Sequence, residues 1–183
     1  MRNLSATVNS KPFLKSLSVY AAKFDKGCLL IDDIPKELVT FIKETGKGIG
    51  KGLLGEFGVE KEIHITILYG LEASANEIKE FFTKPIKLKT RDRIEYFDNG
   101  EKEGTVALIR LDSDDLDDLH KKLKSEFKND HRKGPYKPHL TIAYLKPGCR
   151  LPDEKIETFS WEVDKIVLSD AKNKRKNISI SSG

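Results

Sequence analysis

Two of the four histidines head the same pattern: His64-Ile-Thr-Ile-Leu-Tyr69 and His139-Leu-Thr-Ile-Ala-Tyr144. One His-x-Thr carries little information, because a lone strand histidine is usually a structural hydrogen bonder and Thr is a good strand former. Two copies that share Ile after the Thr and Tyr two places later are an internal repeat. Both copies read as β-strands. Alternation then puts His64 and Thr66 on one face and Ile65, Ile67 and Tyr69 on the other, with His139 and Thr141 opposed in the same way to Leu140, Ile142 and Tyr144.

An imidazole beside a hydroxyl, presented twice, suits in-line displacement at phosphorus. A base must deprotonate the attacking oxygen while an acid protonates the leaving one on the opposite side. Two histidines that titrate near neutrality can divide those roles. The hydroxyls of Thr66 and Thr141 can stabilise the charge on the non-bridging oxygens. This scheme calls for neither a metal nor another cofactor. Zinc is the other chemistry open to two histidines, but further ligands at recognisable spacing are missing. His120, in Leu119-His120-Lys121-Lys122-Leu123, reads as a helix-surface residue. His131 reads as a solvated loop residue close enough to the second motif to line a ligand path, and Cys28 and Cys149 are isolated.

The elements that must position these residues are a mixture of strands and helices. Cys28–Asp32 reads as a buried strand. Pro35–Lys43 reads as a helix with Asp32 or Asp33 as its cap. Residues 46–58 hold six glycines and are expected to form a mobile loop, either a flap over a site or plain surface. The first motif strand stops at Gly70. A helix over 74–82 opens with a capping-box pattern, Ser74 and Glu77. Short extended segments are expected at 86–88 and 94–97, followed by a turn at Asp98-Asn99-Gly100. A strand over 105–111 and a helix over 114–127 precede the second motif; the helix has acids early and bases late, as its dipole prefers. Short strands at 159–163, 166–169 and 177–181 follow, the last hairpin turned by the basic 172–176. Interspersed elements of this kind predict an α+β fold.

At 183 residues, one compact domain is expected over 27–183, with residues 1–26 as an arm or leader. The net charge of +4, from 33 basic and 29 acidic side chains, permits an anionic ligand without demanding a nucleic-acid binder. No apolar run reaches the ~20 residues of a membrane span, and no secretory signal is visible. Two isolated cysteines point to a reducing compartment, so a cytoplasmic location without a membrane partner is expected.

The paired His-Ile-Thr-Ile and His-Leu-Thr-Ile motifs resemble those of the 2H phosphoesterase superfamily, which includes RNA ligase-like and cyclic phosphodiesterase proteins. The resemblance implies a bilobal α+β fold: two pseudo-symmetric lobes of antiparallel sheet with outer helices and a central cleft. It also implies metal-independent chemistry, with His64 and His139 as acid and base and Thr66 and Thr141 holding phosphate. The continuation Ile-Leu-Tyr-Gly-Leu is similar to phage-encoded members, among them the anti-CBASS phosphodiesterases that destroy cyclic oligonucleotide signals; a phage-encoded protein would act in the host cytoplasm. The expected partner is thus a cyclic nucleotide, a cyclic oligonucleotide or a short RNA. The alternatives are a 2′,3′-cyclic nucleotide or RNA-end processing enzyme and a non-catalytic binding module. Lys133 and Lys137, with Lys47 and Lys51 in the glycine-rich segment, are candidate phosphate contacts, and Tyr136 is a candidate for stacking on a base. Each of these five is more readily read as an ordinary solvated loop residue.

Overall fold

The structure, a computed structural model, describes residues 27–99, 104–131, 134–153, 155–170 and 174–180. The expected leader, Lys133, Gly100 of the predicted turn and residues 172–173 of the basic turn lie outside the described residues. The elements run β1 (Gly27–Ile31), α1 (Lys36–Gly48), β2 (Leu54–Val59), β3 (Ile65–Leu71), α2 (Ala75–Phe81), β4 (Ile86–Asp98), β5 (Thr105–Asp112), α3 (Asp114–Glu126), β6 (His139–Leu145), β7 (Ser160–Val163), β8 (Lys165–Ser169) and β9 (Arg175–Ser179). Among the described residues the strands form one sheet in the order β7-β4-β5-β6-β3-β1-β8-β9, with β2 also paired to β6. Every pairing is antiparallel. The class is α+β, and the two expected lobes are two half-sheets of one continuous sheet. They meet where β3 and β6, the strands that carry the motifs, share the rung Ile65↔Leu140.

One face of the sheet is covered by helices. Leu38 and Ile42 of α1, Ile78 of α2, and Leu116, Leu119 and Leu123 of α3 join Ile65, Ile67, Ile109, Leu140 and Ile142 in a single apolar cluster. Each such side chain contributes about 1.5–3 kcal/mol on burial, so the helical face anchors both motif strands. The opposite face carries the histidines and threonines of the two motifs, beside a smaller buried patch of Cys28, Leu30 and Val167. Helix starts follow their capping chemistry: the Ser74 Oγ accepts from the Glu77 N–H while Glu77 accepts from the Ser74 N–H, and Ser113 caps α3 through the Leu116 N–H. At α1 the expected Asp32 or Asp33 cap is not used, and Pro35 stands at the N-terminus without a side-chain cap bond. No helix among the described residues is long and apolar enough to cross a membrane.

Residues 46–58 depart from the loop expectation. The helix runs on through Gly48, and Leu54–Val59 is strand β2. Two of the six glycines there, Gly46 and Gly55, serve close approach. A Cβ on Gly46 would overlap Val59 Cγ1, and one on Gly55 would lie 3.0 Å from the Leu145 carbonyl oxygen. The two extended segments expected at 86–88 and 94–97 are one strand, β4, irregular between Thr90 and Ile94.

Candidate active site

Local sequence places each His beside its Thr, but pairing decides where the Tyr goes. On β3, Leu30 pairs with Thr66 and Leu29 with Leu68, which leaves Ile67 as an extra residue. On β6, Leu108 pairs with Thr141 and Ala107 with Ala143, which leaves Ile142 extra. Both copies therefore carry a bulge at the Ile after the Thr. One inserted residue reverses the parity of everything beyond it. Ile67 and Leu68, like Ile142 and Ala143, all enter the helical core. Tyr69 and Tyr144 thus lie on the His/Thr face, which corrects the expectation from simple alternation. The Thr66 hydroxyl donates to the Tyr69 hydroxyl at 3.0 Å, and the Tyr144 hydroxyl donates to Glu60 Oε2 at 3.3 Å.

The two imidazoles are held identically. Nδ1 of His64 bonds to the Glu62 carbonyl at 2.5 Å and Nδ1 of His139 to the Lys137 carbonyl at 2.8 Å, each two residues upstream. A carbonyl only accepts, so Nδ1 carries the proton in the neutral ring and Nε2 is the nitrogen left to give or take one. In an antiparallel pair, the rung Ile65↔Leu140 carries His64 toward Thr141 and Thr66 toward His139. Each lobe's imidazole therefore comes to stand beside the other lobe's hydroxyl.

Charge divides the pair. Burial holds both imidazoles below the ordinary histidine value of 6.5. At His64 the bond to Glu62 and the carboxylates of Glu60 and Glu62 oppose that shift, while Arg175 adds to it. At His139 the Lys137 carbonyl bond opposes it, while His64 and Arg110 push further down. A reaction that needs one imidazole neutral and one protonated runs on the singly protonated pair. With both free-enzyme values lowered, that form is populated on the acid side of 6.5. The kcat/KM profile is accordingly expected to be bell-shaped with its maximum below pH 6.5; a flat maximum at pH 8 would contradict this charge arrangement.

The surroundings assemble three groups that the sequence alone leaves scattered. Glu60 is buried, with its carboxylate taking the N–H groups of Lys61 and Glu62 as well as the Tyr144 hydroxyl. Beside it, the exposed ring of Phe57 packs edge-on to Tyr144 with 5.4 Å between centroids. The second group is Arg175, which joins Glu62 at 2.8 Å and Asp32 at 3.6 Å next to His64. The third is on β5 and β4: Arg110 lies directly across from His139, and the Phe97 ring meets His139 edge-on at 5.1 Å. Arg110 carries a signal in hindsight, since a lone cation inside the otherwise apolar Val106–Leu111 run is out of place in a structural strand.

Two histidines move from their expected places. His120 is not on the helix surface: it is 2% exposed and donates from Nδ1 to the Ile67 carbonyl at 2.8 Å. His131 is half-buried, its ring against His120 and Tyr69. Tyr136 is likewise not a free stacking platform. Its hydroxyl donates to the Thr66 carbonyl at 2.7 Å, and one ring face lies flat on His120, 3.9 Å between centroids. The physical reason is the seam. Past the rung at Ile65, β3 stays paired with β1 on one edge but no longer with β6 on the other, and the bulge carbonyls of Thr66 and Ile67 need donors. Tyr136 and His120 supply them. Of the lysines, Lys137 stays exposed, its ammonium 5.7 Å from the Phe97 centroid. Lys47 and Lys51 are exposed in the last turn of α1 and the turn after it, with no described contact to either histidine. Cys28 is buried and free, its thiol pushed up to about 12 by burial, and Cys149 is also free.

The family model for the 2'-5' RNA ligase superfamily matches residues 59–175, more than half of the chain and inclusive of both motifs. No curated protein matches the chain. Among solved structures it is similar to the protein TT0787 of Thermus thermophilus, with a TM-score of 0.57 at 18% identity over 85% of this chain and 97% of that one. It is also similar to a structure described as a phosphoesterase, with a TM-score of 0.51 at 15% identity over 86% and 95% of the two chains. At these identities the two structures establish the shared fold. The matched family, the duplicated strands and the twin His-x-Thr motifs together place this chain in the 2'-5' RNA ligase superfamily of 2H phosphoesterases.

Proposed function

We propose that this protein is a metal-independent phosphodiesterase whose acid and base are His64 and His139. The observation that carries the reading is the matched pair of imidazoles, each fixed through Nδ1 to its own backbone so that Nε2 is the reactive nitrogen. In the proposed reaction one Nε2 takes the proton of the attacking hydroxyl or water as its oxygen bonds to phosphorus. The bond to the leaving oxygen breaks, and the other imidazolium gives that oxygen its proton. Thr141 holds a non-bridging oxygen, and Thr66 does the same once its hydroxyl swings from Tyr69 to the phosphate. The carboxylates of Glu60 and Glu62 favour a proton on His64, and Arg110 disfavours one on His139. His64 is therefore assigned as the acid and His139 as the base for cleavage.

The first substrate class is the cyclic nucleotide or cyclic oligonucleotide, as in the phage anti-CBASS enzymes that the first motif resembles. The family's name favours a second reading, in which the same groups act on RNA ends or on 2′,3′-cyclic nucleotides. The test is a turnover screen in EDTA against 2′,3′-cyclic nucleotides, cyclic dinucleotides, cyclic trinucleotides and short RNA. EDTA-resistant cleavage of at least one is expected, and the class cleaved decides between the two readings. Activity abolished by chelator and restored by a divalent ion would overturn the metal-independent scheme. Tight binding without turnover would leave a binding module.

A further inference from the structure

Two cations converge on one aromatic ring beside His139. Arg110 stands directly across from His139 on β5, and its guanidinium carbon lies 5.8 Å from the Phe97 centroid. The ammonium of Lys137 lies 5.7 Å from the same centroid. Phe97 in turn meets the His139 ring edge-on. The Nε of Arg110 is buried without a hydrogen-bond partner among the described residues. Cation–π contact offsets part of the cost of such an arrangement, but it leaves the N–H groups unsatisfied and the two like charges repelling each other. Glu95, two residues before Phe97 on β4, is engaged by Arg91 at 3.2 Å. An anion is what this cluster lacks.

Its position says which anion. The reacting phosphorus must lie between the two imidazoles, over the β3–β6 seam. Arg110 and Phe97 stand on β5 and β4, one and two strands away from β6 on the side remote from His64. Strands are about 4.8 Å apart, so a group held over Phe97 sits beyond His139, outside the line joining the two imidazoles. On the reading of the seam as a phosphodiesterase site, we propose that Arg110 and Lys137 form a second anion subsite, which binds the phosphate flanking the scissile one. The protein would then favour substrates carrying at least two phosphates in series over those with a single phosphodiester.

The experiment measures binding of two probes, the dinucleoside monophosphate ApA and its 5′-phosphorylated form pApA, to the full chain with His64→Ala, so that turnover does not intervene. The added phosphate is expected to tighten binding about tenfold, the scale of one charge-assisted contact. Arg110→Met on that background should remove most of this gain, and Lys137→Met a smaller part, while ApA affinity changes less than about twofold. An equal loss for both probes would mean that Arg110 clamps the scissile phosphate, and the proposal fails. It also fails if pApA binds no better than ApA. Lys137 is exposed, so Lys137→Met keeps the test decisive even if the Arg110 variant folds poorly. Turnover of the unmodified chain is scored separately: a phosphate-dependent binding gain without turnover would retain the subsite and reject the phosphodiesterase reading.

Discussion

Replacing either motif histidine by alanine is expected to lower kcat/KM by about 10²- to 10⁴-fold, the usual contribution of one positioned proton-transfer group. That corresponds to about 3–5 kcal/mol of transition-state stabilisation. The double variant should be little worse than the poorer single one, because an acid and a base that serve one displacement act as a unit. Folding should survive. Both rings are only half-buried, and each makes one described hydrogen bond, to its own upstream carbonyl. Near-wild-type melting with lost turnover is therefore the expected pair of results. A loss below tenfold in either variant would remove that histidine from the chemistry. The two variants should also differ in their pH profiles. Without His64 the acid is gone and the fall of activity toward alkaline pH should flatten; without His139 the fall toward acid should flatten instead.

His120→Leu is expected to cost about 2–4 kcal/mol of folding stability, read as a lower urea midpoint at unchanged slope. Two losses add: the Ile67 carbonyl at the bulge loses its described donor, at about 1–3 kcal/mol, and the flat contact with Tyr136 disappears, at about 0.5–1.5 kcal/mol. Tyr136→Phe should cost less, since only the hydroxyl bond to the Thr66 carbonyl goes. The two substitutions should couple, because the rings touch and serve consecutive carbonyls of one strand. A change under about 0.5 kcal/mol for His120→Leu would mean that the seam is not held this way. The pH dependence follows in sign. Burial lowers the His120 value below 6.5, so between that lowered value and 6.5 the unfolded chain binds more protons than the folded one. Stability is then fully present above 6.5 and declines as pH falls through that window. His64 and His139 act in the same direction, so the variant should show a shallower acid decline, not an absent one.

Much of this was legible in the chain itself. The repeat and its strand character follow from a six-residue pattern, and the shared face of each His and Thr from its first three residues, over which alternation holds. The capping box at Ser74 and the acid-to-base charge order of α3 were equally local. The Gly-rich segment was not, because glycine reads the same whether it frees a loop or lets a helix approach a strand. Gly46 is explained only by Val59, thirteen positions away in sequence and in contact in space.

Which residue types could do the chemistry, and that each imidazole would stand beside a hydroxyl, could be read along the chain, because side-chain direction along a few strand residues is a local property. Tertiary structure alone decided the rest. The bulges at Ile67 and Ile142 exist only relative to neighbouring strands, so no single strand could reveal that Tyr69 and Tyr144 turn to the His/Thr face. His120 is buried because β3 leaves β6 just past the rung at Ile65 and exposes carbonyls that must be satisfied. Arg110 belongs to the site because antiparallel register sets it across from His139. Each of these is a relation between segments distant in sequence, and burial and pairing act on such relations only after the chain has folded.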